Sequence, residues 1–199
     1  MRLSRKAAGL AVFGLAVTGF LALMAWGLLN QSPVTGKSGS TRLHKPAPEF
    51  TLPLFGGDQL TLSEQSGRPV VINFWASWCA PCRVEARALE EAWRSYRDRN
   101  VLFVGVQTQD TEEEGRAYLS EFGVTYPNVV DGEGKVTVDY GVIGLPVTFF
   151  VDRGGTVVHR WVGAIDGARL TGWVEEMVSG TILGGEAEGE NRDSFFEFK

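Results

Sequence analysis

The sequence predicts an α/β domain with a central mixed β-sheet flanked by helices. An apolar run, Val70–Trp75, is typical of a buried strand, and a helical repeat of apolar residues follows from about Pro81. A second apolar run, Val101–Val106, suits a parallel strand that is covered on both faces. Two further runs, Val147–Val151 and Thr156–Val162, flank an Asp-Arg-Gly-Gly turn and predict an antiparallel hairpin.

Composition and charge narrow the possible functions. The chain has 199 residues, of which 44% are hydrophobic and 22% charged, as in ordinary globular proteins. Its formal net charge of −5 gives no basic surface for nucleic acid. The two cysteines cannot form a disulfide framework, and the two histidines lie at unsuitable spacing for a zinc site. We therefore expect no metal and no cofactor.

The N-terminus predicts a membrane anchor. Residues 1–6 are basic and cytoplasmic in this interpretation, and residues 7–29 are uncharged. As a helix, the uncharged segment would span about 35 Å, enough to cross a bilayer. A cleaved signal peptide is the competing interpretation, but its apolar core is normally shorter. The positions of the basic residues predict a single pass through the cytoplasmic (inner) membrane, with the rest facing the periplasm or cell exterior.

The rest of the chain divides into a tether, a domain and a tail. Residues 30–45 are rich in Ser, Gly, Thr and Pro and predict a flexible tether, whereas residues 181–199 predict a disordered acidic tail. Within the domain, residues 46–180, the segments Phe50–Leu54 and Gln59–Leu62 predict a hairpin at the edge of the sheet.

Two further helices have recognisable starts. Asp110–Glu113 resembles a capping box and precedes apolar residues at helical spacing. Asp166 is placed to cap a last helix, whose apolar positions run from Leu170 to Val178.

Cys79 and Cys82 lie where the first predicted strand of the sheet turns into a helix. Unpaired backbone N–H groups and the helix dipole at such a position stabilise an anion, so a thiol placed there has a lowered pKa and becomes a nucleophile. The second thiol, one turn later, is close enough to attack a mixed disulfide and release the product. A structural disulfide is the weaker interpretation, because so short a loop removes little chain entropy.

The segment Phe74–Cys82 resembles the active-site segment of the thioredoxin superfamily, and more narrowly that of its membrane-anchored TlpA/ResA/CcmG (DsbE) group. The resemblance covers roughly residues 46–179 and implies a thioredoxin fold with an N-terminal β-hairpin extension. It also implies that Pro146 is a cis proline facing the cysteines. Gly144 and Leu145 would bind substrate beside it, the Leu145 backbone pairing with an extended segment. A trans proline that begins a strand is the alternative.

Two other residues have expected roles in the site, and a third departs from the thioredoxin pattern. ResA-like proteins carry a glutamate at the position of Glu85, and the resemblance implies that it accepts or relays the proton of Cys82. An exposed helix carboxylate paired with a nearby arginine is the alternative. Trp78 is expected to contact substrate. Asn73 stands where thioredoxin itself has a buried aspartate.

The resemblance implies a membrane-anchored thiol-disulfide oxidoreductase that acts as a reductase. Its expected substrate is apocytochrome c, or a partner chaperone in cytochrome c maturation, and its electrons would come from an upstream membrane thiol-disulfide donor. Gly141–Pro146 resembles the Gly-Val-x-Gly-x-Pro segment of the CcmG branch and favours this substrate. The alternatives are a general extracytoplasmic reductase or oxidant, and a redox-silent binding module with a thioredoxin fold.

Overall fold

The computed structural model describes residues 14, 17–21, 23–24, 42–180 and 188–190, in two units, Met1–Ser38 and Gly39–Lys199. In the first unit the described residues are helical. Across the described parts of the chain, no helix combines the length and the apolar composition needed to cross a bilayer. The predicted anchor, residues 7–29, falls mostly outside the described residues and stays a prediction.

The second unit alternates strands and helices. In chain order its described elements are β1 (Thr51–Pro53), β2 (Gln59–Thr61), β3 (Val70–Trp75), α1 (Ala80–Tyr96), β4 (Leu102–Thr108), α2 (Glu112–Phe122), β5 (Asn128–Asp131), α3 (Lys135–Asp139), β6 (Val147–Val151), β7 (Val157–Val162), α4 (Gly167–Ser179) and β8 (Glu188–Glu190). Every residue of β3 and β4 is buried, as expected for largely apolar strands that are covered on both faces, and the buried residues include the polar Asn73, Gln107 and Thr108.

Six of these strands form one mixed sheet in the order β5-β4-β3-β6-β7-β8. The central strand β3 runs parallel to β4 and antiparallel to β6, which confirms the predicted mixed sheet. Because β3 and β4 are parallel, the loops that follow their C-terminal ends lie at the same end of the strands. The cysteines follow β3, so the disulfide lies at this C-terminal end.

The central strands supply a hydrophobic core on each face of the sheet. Side chains that alternate along a strand point to opposite faces. Ile72 packs with residues of the β1–β2 hairpin on one face, and its neighbour Val71 packs with residues of α1 and α4 on the other. Packing on both sides fixes β3, and with it the point from which the active-site loop begins.

The predicted hairpin is present and lies along the edge of the main sheet. β1 and β2 pair antiparallel, and Gly57 in their turn has a φ of 100°, which glycine adopts readily. Leu54 forms a bridge with Val129 of β5, and the Phe55 N–H donates to the Asn128 carbonyl at 3.2 Å. The hairpin therefore covers β5, the strand at one edge of the main sheet.

Both predicted helix starts are confirmed. Thr111 is the N-cap of α2, and its hydroxyl oxygen accepts the Glu114 N–H at 3.2 Å. Asp166 is the N-cap of α4, and its carboxylate accepts the Arg169 N–H at 2.9 Å.

The structure differs from the sequence-based expectations in three places. It contains β5 and α3, which the sequence analysis did not predict. At the end of the predicted tether, the His44 N–H donates to the Val157 carbonyl at 2.7 Å, and the Val157 N–H donates to the Lys45 carbonyl at 3.0 Å. In the predicted disordered tail, Glu188–Glu190 pairs in parallel with β7, whereas the other tail residues lie outside the described part of the chain.

Candidate active site

Cys79 and Cys82 form a disulfide at the N-terminus of α1. Cys79 is the N-cap residue, and its Sγ accepts a hydrogen bond from the Cys82 N–H at 3.2 Å. Both side chains are buried in this oxidised state, since Cys79 is 3% exposed and Cys82 is 0% exposed. The first turn of α1 contains no acidic residue. After reduction, the N-terminus of the helix would therefore stabilise a negative charge on Cys79 without opposition from that turn.

Two hydrogen bonds hold the loop between β3 and the disulfide. The Ser77 N–H donates to Asp110 Oδ2 at 2.7 Å, and the Trp78 indole N–H donates to the Gln109 carbonyl at 2.9 Å. The Trp78 side chain is nevertheless 61% exposed. Because its polar atom is already bonded, the exposed ring offers an apolar surface beside Cys79, where the sequence predicted a substrate contact.

The Leu145–Pro146 peptide bond is cis, as the resemblance implied, so the trans alternative is wrong. Pro146 is buried directly before β6, and its carbonyl accepts the Gly163 N–H at 2.9 Å. Leu145 packs against the hydrophobic cluster that contains both cysteines. Gly144 is exposed. The structure thus brings the proline loop and the disulfide together, although they are more than 60 residues apart in the sequence.

An aromatic layer lies beneath the disulfide. The Trp75 ring stacks on Tyr118 with 4.3 Å between centroids, and its N–H donates to Asn128 Oδ1 at 2.9 Å. The Tyr118 hydroxyl donates to the Cys82 carbonyl at 3.0 Å and so holds the first turn of α1. Gly105 lies against the hydrogen bond between Trp75 and Asn128. A Cβ atom at Gly105 would lie 1.8 Å from Asn128 Oδ1, so no side chain fits at this position.

Glu85 is buried one helical turn after Cys82, with 1% of its surface exposed. Its Oε1 accepts the Asn73 Nδ2–H at 2.7 Å, and its Oε2 accepts the Ile165 N–H at 2.9 Å. Burial raises the pKa of this carboxyl to about 8, although the hydrogen bonds from Ile165 and Asn73 oppose the shift. The alternative of an exposed carboxylate paired with an arginine is therefore wrong.

Sequence reasoning missed several residues that form this site. The sequence shows Asn73 only as a departure from thioredoxin, and it gives Tyr118 no role in the site. Gly163 and Ile165 contribute through their backbone N–H groups, which leave no signal in the side-chain pattern. Among the described residues, no group of three or more His, Cys, Asp or Glu side chains is placed to hold a metal ion.

Comparison with known proteins identifies the family. The sequence model of the AhpC/TSA family matches residues 43–160. The thiol:disulfide interchange protein DsbE of Allochromatium vinosum is 37% identical over 161 residues, which cover 79% of this chain and 86% of that protein. The chain belongs to the AhpC/TSA family.

Two further relatives place this AhpC/TSA member more closely. The thiol-disulfide oxidoreductase ResA of Bacillus thuringiensis strain Al Hakam is 27% identical over 136 residues, covering 68% of this chain and 79% of that one. A crystal structure from Chlorobium tepidum, described as a thiol:disulfide interchange protein DsbE, superposes with a TM-score of 0.64 at 29% identity, covering 67% of this chain and 95% of that one. This AhpC/TSA member is a thiol-disulfide oxidoreductase of the DsbE/ResA type.

Proposed function

We propose that this oxidoreductase is a reductase, whose dithiol donates electrons to the disulfide of another protein. The observation that carries the proposal is the buried Glu85 carboxyl, whose hydrogen-bond partners in the described part of the chain, Asn73 and Ile165, are both uncharged. Once ionised, this carboxylate opposes a thiolate formed one turn away on Cys82. A dithiol whose reduced form is poorly stabilised has a low reduction potential, whereas DsbA is a strong oxidant because its reduced form is stabilised.

The reaction would proceed as two thiol-disulfide exchanges. The Cys79 thiolate attacks one sulfur of the substrate disulfide, the substrate S–S bond breaks, and the departing substrate thiolate takes up a proton. Cys82 then transfers its proton to Glu85 and attacks Cys79 Sγ in the mixed disulfide. The second substrate thiolate leaves and takes up the proton that Glu85 releases, and the Cys79–Cys82 disulfide closes. Two electrons have then passed from the dithiol to the substrate, together with one proton from Cys82 by way of Glu85 and one proton from solvent.

We further propose apocytochrome c, or a chaperone that carries it, as the substrate. Covalent haem attachment uses a Cys-x-x-Cys-His sequence, whose two cysteines are reactive only when reduced. The resemblance of Gly141–Pro146 to the CcmG branch supports this choice, and the exposed ring of Trp78 offers a contact for the residues around the substrate cysteines.

We also propose a location for the protein. Residues 7–29 would anchor the protein in the cytoplasmic membrane, with the described domain on the periplasmic or outer side. Outside the cytoplasm a dithiol is not kept reduced by the glutathione and thioredoxin pools. An upstream membrane thiol-disulfide donor would therefore re-reduce the Cys79–Cys82 disulfide after each turnover.

The reduction potential tests the direction of electron flow. A fragment beginning at Gly39 contains both cysteines and every strand named above, and can be equilibrated with glutathione or dithiothreitol buffers. A value near or below roughly −200 mV supports a reductase. A value close to about −120 mV means an oxidant and overturns the proposal. Failure to form any reversible dithiol–disulfide couple would leave the binding module as the better interpretation.

Rates with matched peptides test the substrate. One peptide carries an oxidised Cys-x-x-Cys-His sequence, and its control replaces the histidine with alanine. Faster reduction of the first peptide supports a role in cytochrome c maturation, whereas equal rates favour a general reductase. In cells, Cys82→Ser should accumulate a mixed disulfide with the substrate, because the resolving thiol is missing, and Cys79→Ser is the matched variant that should trap nothing.

A further inference from the structure

A chain of three polar side chains crosses the buried centre of the sheet next to the disulfide. Asn73 on β3 and Thr148 on β6 are directly paired in the sheet, and both are buried. The Asn73 amide nitrogen donates to Glu85 Oε1 at 2.7 Å and to Thr148 Oγ1 at 3.0 Å. The amide therefore uses both of its N–H groups to connect the carboxylate with the hydroxyl.

A buried carboxyl that gains and loses a proton needs different partners in its two states. The ionised form only accepts hydrogen bonds, whereas the protonated form has an O–H group that must donate one. If the only partner were also a donor, the O–H of the protonated carboxyl would find no acceptor. A buried donor without an acceptor costs free energy. Glu85 has one partner of this fixed kind, the backbone N–H of Ile165, which bonds Oε2. The fixed donor on Oε2 directs the proton to Oε1, the oxygen that faces Asn73.

We propose that Asn73 and Thr148 are positioning residues that form a reversible adaptor, satisfying Glu85 in both of its charge states. Rotating the Asn73 amide by 180° exchanges its nitrogen and oxygen. Its Oδ1 would then accept the O–H of protonated Glu85 on one lone pair and the hydroxyl of Thr148 on the other. The Thr148 hydroxyl can serve in both states because it donates as well as accepts. All hydrogen bonds of the three-residue chain reverse together when the proton arrives.

Other titratable groups near Glu85 do not compete for this proton in the disulfide form. Cys79 and Cys82 are joined and carry none. Tyr118 and Tyr126 both interact electrostatically with Glu85, but burial raises the pKa of each above its ordinary value, so both stay neutral. The inference rests on the proposed function for its purpose, because the adaptor would let Glu85 take up the Cys82 proton without leaving its own O–H group unpaired.

The test follows the amide of Asn73 while Glu85 titrates. The full-length oxidised protein is labelled with ¹⁵N in asparagine side chains and with ¹³C in glutamate carboxyls, and spectra are recorded from pH 5 to pH 10. We expect the Asn73 Nδ2 resonances to move with the same midpoint as the Glu85 carboxyl, and to stay still in Glu85→Gln. The buried amide of Asn128, which bonds Trp75 and Tyr126, is the control in the same spectra and should not follow this midpoint.

A variant adds a second arm. Asn73→Leu keeps a side chain of similar size but removes the donor to the carboxylate, so the Glu85 midpoint should move upward by about one pH unit. The pH profile of disulfide exchange should move with it. An Asn73 amide that does not respond to Glu85, or an unchanged Glu85 midpoint in Asn73→Leu, overturns the inference.

The wild-type spectra decide even if that variant fails to fold. Because the titration uses the oxidised protein, its result does not depend on the direction of electron flow. If the Asn73 amide follows the titration of Glu85 but the reduction potential is that of an oxidant, the proposed function is refuted and the adaptor is not.

Discussion

Replacing Glu85 with glutamine separates the charge of this buried carboxyl from its packing. The amide has nearly the same shape but cannot ionise. In the folded wild type the pKa of Glu85 is about 8, whereas its ordinary value is 4.5. Between these two pH values the folded protein holds a proton that the unfolded chain has released.

The sign and size of the effect follow from this difference. Stability falls with rising pH wherever the folded state binds more protons than the unfolded state. The contribution is fully present below about pH 4.5 and is lost as the pH rises through about 8. A shift of about 3.5 pH units at 1.36 kcal/mol per unit corresponds to about 5 kcal/mol over this range.

Urea denaturation of the oxidised protein from pH 4 to pH 9 measures the effect. We expect the free energy of unfolding of the wild type to fall by about 5 kcal/mol relative to Glu85→Gln across this range. Other groups titrate in both proteins, so the difference between the two curves isolates Glu85.

Glu90→Gln is a control from the same helix with the opposite sign. Burial acts to raise the pKa of Glu90, but its hydrogen bonds with Thr125 and Arg94 outweigh this and lower the pKa. Its contribution is therefore present above the ordinary pKa of a glutamate and lost as the pH falls through the lowered value. A wild-type curve that stays parallel to that of Glu85→Gln, within about 1 kcal/mol, would refute the reasoning.

Two further variants test the aromatic layer beneath the disulfide. Tyr118→Phe should lower the free energy of unfolding by about 1 kcal/mol, because the Cys82 carbonyl loses its hydroxyl donor, and unchanged urea denaturation would contradict this. Gly105→Ala should destabilise the protein by about 1–3 kcal/mol or more, because the new Cβ would overlap Asn128 Oδ1, as measured by thermal unfolding. Gly132→Ala, whose Cβ would meet no atom within 4 Å, is its control, and equal losses in both variants would argue against the overlap.

Periodicity predicted the strands and helices that position the disulfide, but not the elements next to them. β3 and β4 are long apolar runs, and α1 repeats its apolar residues over several turns, so the sequence pattern is clear. β5 has four residues and α3 has five, which is too short for a period to appear. β5 is extended because it pairs with β4 and contacts the hairpin. Neither of these contacts can be predicted from the four residues of β5 alone.

The chemistry of the site was predictable where it is local and not where it depends on distant contacts. The Cys79–Cys82 spacing and the proline loop are readable as short motifs. Helical spacing also places Glu85 on the same face as Cys82, but it does not say what covers that face. The covering group is the backbone of Ile165, 80 residues later in the chain, and only the folded structure shows that the carboxyl is buried.

The bridge between the hairpin and β5 also bears on aggregation. An open sheet edge presents unpaired N–H and C=O groups to which the strand of another molecule can add. Leu54 and Phe55 occupy that place at the start of β5, and the Phe55 ring stacks against Trp75 in the layer beneath the disulfide. A truncation that removed this hairpin would therefore have two effects. It would expose the unpaired backbone groups of β5 to other molecules, and it would expose one side of the aromatic layer beneath the disulfide. Leu54 and Phe55 therefore protect the edge of the sheet from pairing with another molecule, and Phe55 also packs against the residues that support the disulfide.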